Sequence, residues 1–166
     1  MTSYLAWIEQ TALSVWIRES PSYLAFPAVL ILHTVGMAFL VGTAVAVNLR
    51  VLGLARNIPI SAIARFFPAM WVGFWLNVLS GVALVIATPA KALTNWVFYV
   101  KLGLILLALL NGRVLQNQVF NDPAVDEKPV STKGKVLAAT SILLWVGAMI
   151  TGRLLAYTYV RILSGD

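Results

Sequence analysis

The fold of this chain is decided by residues 23–47, YLAFPAVLILHTVGMAFLVGTAVAV, which contain no Asp, Glu, Lys or Arg. At a rise of about 1.5 Å per residue, a helix of this length crosses the roughly 30 Å hydrocarbon core of a bilayer. Pro27 stands near the start of the stretch, where a helix tolerates proline. The stretch therefore predicts a membrane-spanning helix.

Three further apolar runs follow, over about residues 66–87, 95–112 and 136–159. The chain of 166 residues is 60% hydrophobic and only 11% charged, whereas a soluble domain usually has about a quarter of its residues charged. We therefore predict an all-α fold, an integral membrane four-helix bundle that forms a single transmembrane domain over residues 1–166. Its main partner is the lipid bilayer.

The N-terminal segment, about residues 3–19, has a different pattern. Its apolar and aromatic positions recur at helical spacing, but Glu9, Arg18 and Glu19 interrupt them. This pattern is typical of an amphipathic helix that lies in the plane of the membrane interface.

The basic residues predict the orientation of the bundle. The two long connections between spans carry seven of them, against three on the opposite side, so the positive-inside rule places both connections in the cytoplasm and both termini in the periplasm of a bacterial inner membrane. Because these residues flank apolar runs, nucleic acid is not an expected partner. We expect the polar stretch from Gln116 to Lys135 to be a water-exposed loop. An aromatic belt is expected near the outer face, at Trp7, Trp16, Tyr23, Trp96, Tyr99, Tyr157 and Tyr159.

Polar residues inside the spans are the candidates for function, because they are costly to insert into lipid. His33 and Asn77 fall near the middle of their spans, and Lys101 and Arg153 lie about 9 Å inside the outer surface. We expect His33, Lys101 and Arg153 to converge in the bundle.

A functional interpretation follows from the chemistry of these side chains. A neutral His33 could ligate haem iron or another metal, with Met149 as a soft second ligand. Lys101 and Arg153 would then neutralise haem propionates, or would hold a quinone or another anionic headgroup. Met37, one turn after His33, could instead join it on copper(I). Asn77 would complete the polar lining of this cofactor site.

A structural interpretation remains open beside the functional one. His33 could bond to Asn77 or a serine across helices, Lys101 could extend to the interface, and the methionines could fill the core. The chain has no cysteine and one histidine, which excludes thiolate sites and a two-histidine site within one chain. Every acidic residue lies outside the spans, and no motif for hydrolysis or group transfer is present.

A resemblance to a known family is carried by four groups of residues. They are Phe26-Pro27, His33 to Gly36 with Gly42, Asn48 to Gly53 and the later set Arg65, Pro68, Gly73-Phe74, Asn95, Phe98, Lys101, Asn111, Trp145 and Gly152 to Tyr157. The chain resembles an uncharacterised family of small bacterial inner-membrane four-helix proteins, which are reminiscent of b-type cytochromes and copper-resistance membrane proteins. The resemblance implies a bundle with a histidine in its first span.

Three hypotheses result. The first is a His33-centred site for haem b or a metal, serving electron transfer or forming the membrane subunit of a larger complex with a periplasmic or membrane partner. The second is an assembly subunit without a cofactor, which includes a homo-oligomer. The third is a small transporter for copper or an organic solute.

Overall fold

The computed structural model describes residues 2–122 and 125–164, with the side chains of residues 2, 3, 156 and 159–164 left aside. All of its elements in these ranges are helical. Four of the helices are long and apolar enough to cross a membrane, and no more than 28% of each spanning window is buried inside the protein. The predicted all-α integral membrane bundle is confirmed, and many of its large apolar side chains are exposed.

The helices match the predicted spans but extend beyond several of their limits. A short 3-10 turn, Ala64–Phe66, precedes the second span, and a π-helical turn, Gln116–Phe120, extends the third. The helices are α1 Thr2–Glu9, α2 Ala12–Glu19, α3 Phe26–Leu52, α4 Ile60–Ile63, α5 Phe67–Ala87, α6 Pro89–Leu93, α7 Trp96–Leu115 and α8 Thr132–Ser164.

The N-terminal segment forms two helices, where the sequence predicted one. Thr11 separates them, because its hydroxyl accepts a hydrogen bond from the Ser14 amide at 3.4 Å and so caps α2. The Ser14 hydroxyl and the Arg18 guanidinium both donate to the Ala87 carbonyl, at 3.3 and 3.2 Å. These bonds satisfy a carbonyl that the end of α5 leaves free, and they fix α2 over one end of the bundle, called here the capped end.

The opposite end, called here the loop end, carries the two long connections. The prediction that all of Gln116 to Lys135 is a water-exposed loop is wrong for its first part. The π-helical turn buries Val119, and the ring of Phe120 packs edge-on against Phe67 with centroids 5.0 Å apart. Burial of these apolar side chains against Val51 extends the helix past its predicted limit.

The four long helices pack in the order α5, α3, α8, α7. The extensive contacts join α3 to α5, α7 to α8 and α3 to α8, whereas α5 and α7 scarcely approach each other within the described residues. The central contact is a cluster of Leu40, Val41, Ala44, Ala108 and Trp145. The bundle therefore has one open side, between α5 and α7.

Two glycines set the distance between α3 and α5. A Cβ atom added at Gly36 would lie 2.7 Å from the Asn77 nitrogen, and one added at Gly73 would lie 2.6 Å from the Leu40 nitrogen. Both neighbours are backbone atoms, so no larger residue fits without separating the helices. Small residues at such crossings permit close packing in membranes.

Two other glycines of the spans behave differently. Gly42 has no neighbour within 4 Å of an added Cβ, and a Cβ added at Gly147 would lie 3.4 Å from the side chain of Leu104 on α7. Among the described residues, an approach this close to the backbone of another helix occurs at Gly36 and Gly73.

Substitution of either crossing glycine by alanine should lower the free energy of unfolding by about 1–3 kcal/mol, because overpacking forces a backbone shift. Gly42→Ala is the matched control and should be neutral or slightly stabilising, since alanine favours helix by up to about 1 kcal/mol. Thermal unfolding in detergent measures both. Equal effects of Gly36→Ala and Gly42→Ala would contradict the packing described.

The two connections at the loop end are joined by Asp126. One of its carboxylate oxygens accepts from the Ile60 and Ser61 amides, at 2.6 and 3.2 Å, at the start of α4. A hydrogen bond from the Ser61 side chain, these amide bonds and the charge of Arg50 hold the pKa of Asp126 below its ordinary value. Both long connections therefore lie on the same side of the membrane.

The Asp126 contact predicts a pH dependence with a definite sign. Because the folded-state pKa is depressed, the contact stabilises the connections fully above the ordinary aspartate pKa of about 3.9. This stabilisation is lost as the pH falls through the lower folded-state pKa. Protection of the Ile60 and Ser61 amides, measured relative to the intrinsic exchange rate at each pH, should fall in that range, and Asp126→Ala should lack this protection already at neutral pH. Glu127→Gln serves as control and should resemble the unmodified protein.

Candidate functional site

A cavity of about 680 Å³ lies between the four long helices in the capped half of the bundle. It falls in the size range of small-molecule and cofactor sites, and most of its wall is apolar. We call it the histidine cavity. Five of the predicted site residues line it: His33, Met37, Asn77, Lys101 and Met149. Helix α6 contributes Lys91 and Ala92 to the lining at the capped end.

His33 is held against α5 at two points. Its Nδ1 lies 3.1 Å from the Ser80 hydroxyl, and its backbone carbonyl accepts from the Asn77 amide at 2.9 Å. His33 is one turn before Gly36, and Asn77 is one turn after Gly73. The close crossing of the two glycines thus brings these polar groups within hydrogen-bond distance.

The hydrogen bonds of Ser80 favour one tautomer of His33. Ser80 is positioned to donate its single hydroxyl proton within its own helix, to the Leu76 carbonyl, as serines in helices commonly do. We infer that its oxygen then accepts from Nδ1–H of His33. The other ring nitrogen, Nε2, keeps a lone pair, and the described residues offer it no partner.

Two glycines make room for the charged and aromatic side chains of the cavity. An added Cβ at Gly81 would lie 3.3 Å from Cε1 of His33, and one at Gly152 would lie 3.7 Å from Nζ of Lys101. Gly81 on α5 therefore borders the imidazole, and Gly152 on α8 borders the ammonium group.

Arg153 is not brought into this site. Its side chain is exposed, and it is not among the residues that line the cavity. The expected convergence of His33, Lys101 and Arg153 is thus observed for the first two only. The cavity-facing strip of α8 consists of Trp145, Ala148, Met149, Gly152 and Leu155. Arg153 stands about 40° further round the helix than Met149, at 100° per residue, and Met149 is itself partly exposed.

Six of the aromatic residues expected in the belt have exposed side chains near the capped end: Trp7, Trp16, Tyr23, Trp96, Tyr99 and Tyr157. The side chain of Tyr159 lies outside the description, and the assignment of this end to the outer face stays a prediction. Sequence reasoning did not identify Ser80 or Gly81 as site residues. The signal was their spacing of three and four residues from Asn77, which places all of them on one helical stripe.

The chemistry available to the cavity is limited to a few groups. The described residues contain no cluster of three or more His, Cys, Asp or Glu. A metal ion would therefore need His33 together with methionine sulfur or ligands that come with a cofactor. Nε2 can ligate a metal or accept a proton, and Lys101 can neutralise or hydrogen-bond an acidic or carbonyl group.

The tautomer can be tested directly, because His33 is the single histidine of the chain. Histidine labelled with ¹⁵N should give one pair of ring signals, with Nδ1 protonated and Nε2 unprotonated at neutral pH. Ser80→Ala removes the acceptor and should abolish this preference. Thr43→Ala removes a hydroxyl that bonds only within α3 and should leave the signals unchanged. Protonation on Nε2 in the unmodified protein would contradict the assignment.

Comparison with protein-family models, curated proteins and solved structures gives no match. The fold and the histidine cavity are thus established by the coordinates alone, and the family resemblance stays a prediction. The chain is an integral membrane protein with four spans and an apolar cavity whose wall includes the imidazole of His33 and the lysines Lys91 and Lys101.

Proposed function

We propose that this membrane protein binds a b-type haem in the histidine cavity and serves electron transfer, alone or as the membrane subunit of a larger complex. The observation that carries the proposal is the contact of His33 with α5: Nδ1 lies 3.1 Å from the Ser80 hydroxyl, while Nε2 borders the apolar cavity without a hydrogen-bond partner among the described residues. Ligating histidines are usually oriented in this way, by a hydrogen bond from the nitrogen that does not bind the metal.

The residues of the cavity fit the requirements of such a cofactor. His33 would ligate through Nε2, Met149 lines the same cavity as a candidate second ligand, and Lys101 would neutralise a propionate. Asn77 fixes the backbone of His33. Haem bound in this way supplies one-electron chemistry. Arg153, which does not line the cavity, has no assigned part in this proposal.

A lipid-soluble quinone is a second candidate, favoured by the open side of the bundle. The cavity lies next to the gap between α5 and α7, so a ligand dissolved in the bilayer could enter laterally. A quinol hydroxyl would donate to Nε2 of His33, and Lys101 would donate to a quinone carbonyl. This site would use the same two side chains without a metal.

The orientation of the bundle is part of the proposal. The Asp126 contact with α4 joins the two connections that carry most of the basic residues. We place this loop end in the cytoplasm and the capped end, with α1 and α2, in the periplasm of a bacterial inner membrane. The histidine cavity would then lie in the periplasmic half, within reach of a periplasmic redox partner.

Absorption spectroscopy of protein purified from haem-replete cells tests the proposal. The protein should show a Soret band with about one iron per chain, and His33→Ala should remove both while the thermal unfolding transition persists. Met149→Leu should retain haem but change its spectrum, because the second ligand is lost. Met70→Leu, which lies outside the histidine cavity, is the matched control and should leave the spectrum unchanged.

Other outcomes separate the alternatives. Copper without haem, lost in Met37→Leu, would favour a copper site. A colourless protein from which solvent extracts a quinone, dependent on His33 and Lys101, would favour the second candidate. A colourless protein that retains neither metal nor quinone would refute the binding proposals and leave His33 as a contact between helices.

A further inference from the structure

A second, smaller cavity of about 270 Å³ lies in the loop half of the bundle. It is bounded by all four long helices and extends to the gap between α5 and α7. Trp145, which is 4% exposed, lines both this cavity and the histidine cavity. The two cavities are thus separate chambers along the same open side. We call the smaller one the asparagine cavity.

Asn48 of α3 is the buried polar residue of this cavity. It is only 2% exposed, and its Nδ2 donates to the Ser141 hydroxyl of α8 at 2.9 Å. Its Oδ1 is buried and accepts no hydrogen bond from the described residues. A buried carbonyl oxygen without a donor is costly, so this atom calls for a hydrogen-bond donor from an occupant of the cavity.

The charge at the mouth of the cavity is positive. Arg113, on the last turn of α7, lines the cavity and is exposed at the loop end. Asn48 lies four residues before the end of α3, about 6 Å along the helix. Asn48 therefore lies about one helical turn inside the loop end of the bundle.

The rest of the wall is apolar and reaches the surface that faces lipid. Phe67, Met70 and Trp71 of α5 line one side, and Leu109 and Leu110 of α7 line the other. Trp71 and Leu110 are exposed on the two sides of the gap. An occupant with a long apolar chain could thus extend from the cavity along the gap.

We propose that the asparagine cavity binds an anionic phospholipid with a hydroxyl-bearing headgroup, of the phosphatidylglycerol class. A headgroup hydroxyl donates to Oδ1 of Asn48, the phosphate pairs with Arg113, and an acyl chain occupies the gap between α5 and α7. A small cation would satisfy Oδ1 but is repelled by Arg113. Free phosphate would pair with Arg113 but would leave the apolar wall uncovered.

Competition between lipids in nanodiscs or in native mass spectrometry tests this site. Three lipids with identical acyl chains separate its components: phosphatidylglycerol, phosphatidylmethanol, which is anionic without a headgroup hydroxyl, and zwitterionic phosphatidylcholine. The unmodified protein should retain phosphatidylglycerol over phosphatidylmethanol by about tenfold, the effect of one buried hydrogen bond, and phosphatidylcholine least.

Two variants distinguish the contribution of the headgroup hydroxyl to lipid binding from that of the phosphate charge. Asn48→Leu should bind phosphatidylglycerol and phosphatidylmethanol equally, while Arg113→Gln should weaken both relative to phosphatidylcholine. Arg56→Gln, at the same end but outside the cavity, is the control for charge and should change nothing. Ser141→Ala, which keeps Oδ1, should retain the hydroxyl preference and supplies a second test if Asn48→Leu does not fold.

Several results would overturn the proposal. They are equal retention of the three lipids by the unmodified protein, a hydroxyl preference that persists in folded Asn48→Leu, or a structure with water alone at Oδ1 in phosphatidylglycerol nanodiscs. None of these results depends on the presence of a cofactor in the histidine cavity.

Discussion

The backbone contact between Gly36 and Gly73 is the constraint on which the rest of the structure depends. It brings α3 and α5 so close that an added Cβ at either position would meet a backbone nitrogen of the other helix within 2.7 Å. Toward the capped end, the same close approach brings Asn77 and Ser80 of α5 within hydrogen-bond distance of His33. Where lipid surrounds the protein, helices gain little from burying apolar surface against each other, so association depends on such tight packing and on interhelical hydrogen bonds. The crossing supplies both.

Close packing of α3 with α5, and of α7 with α8, leaves α5 and α7 apart. In water an apolar gap of this kind would be driven to close, but in a bilayer acyl chains can fill it at little cost. The open side is therefore compatible with a stable bundle, and it gives both cavities a route to lipid. Trp145 separates them, so a ligand in the capped half and a lipid in the loop half do not compete for the same space.

The sequence allowed the four spans and their approximate limits to be predicted, because length and the absence of charge are strong signals in lipid. The sequence also predicted that His33, Asn77, Lys101 and two methionines share one site, because the depth of a residue in its span follows from the helical rise. The direction in which a side chain points from its helix was harder to predict. The face of α8 that lines the cavity is centred on small residues, Ala148 and Gly152, and not on Arg153, so counting depth alone included an arginine that lies outside. The helical turn at Gln116–Phe120 was missed because its polar residues obscured the buried Val119.

The two ring nitrogens of His33 indicate whether this residue serves solely as a contact between helices or also binds an occupant of the cavity. An interhelical contact needs one ring nitrogen, and Ser80 already provides its partner. The second nitrogen borders the apolar cavity without a hydrogen-bond partner among the described residues, so it is available to an occupant. Gly36 and Gly73 already hold the two helices together without it. The free lone pair is therefore explained better by an occupant of the cavity than by packing. The same reasoning applies to Oδ1 of Asn48 in the other half of the bundle, where an unsatisfied carbonyl adjoins a cation and a route to lipid.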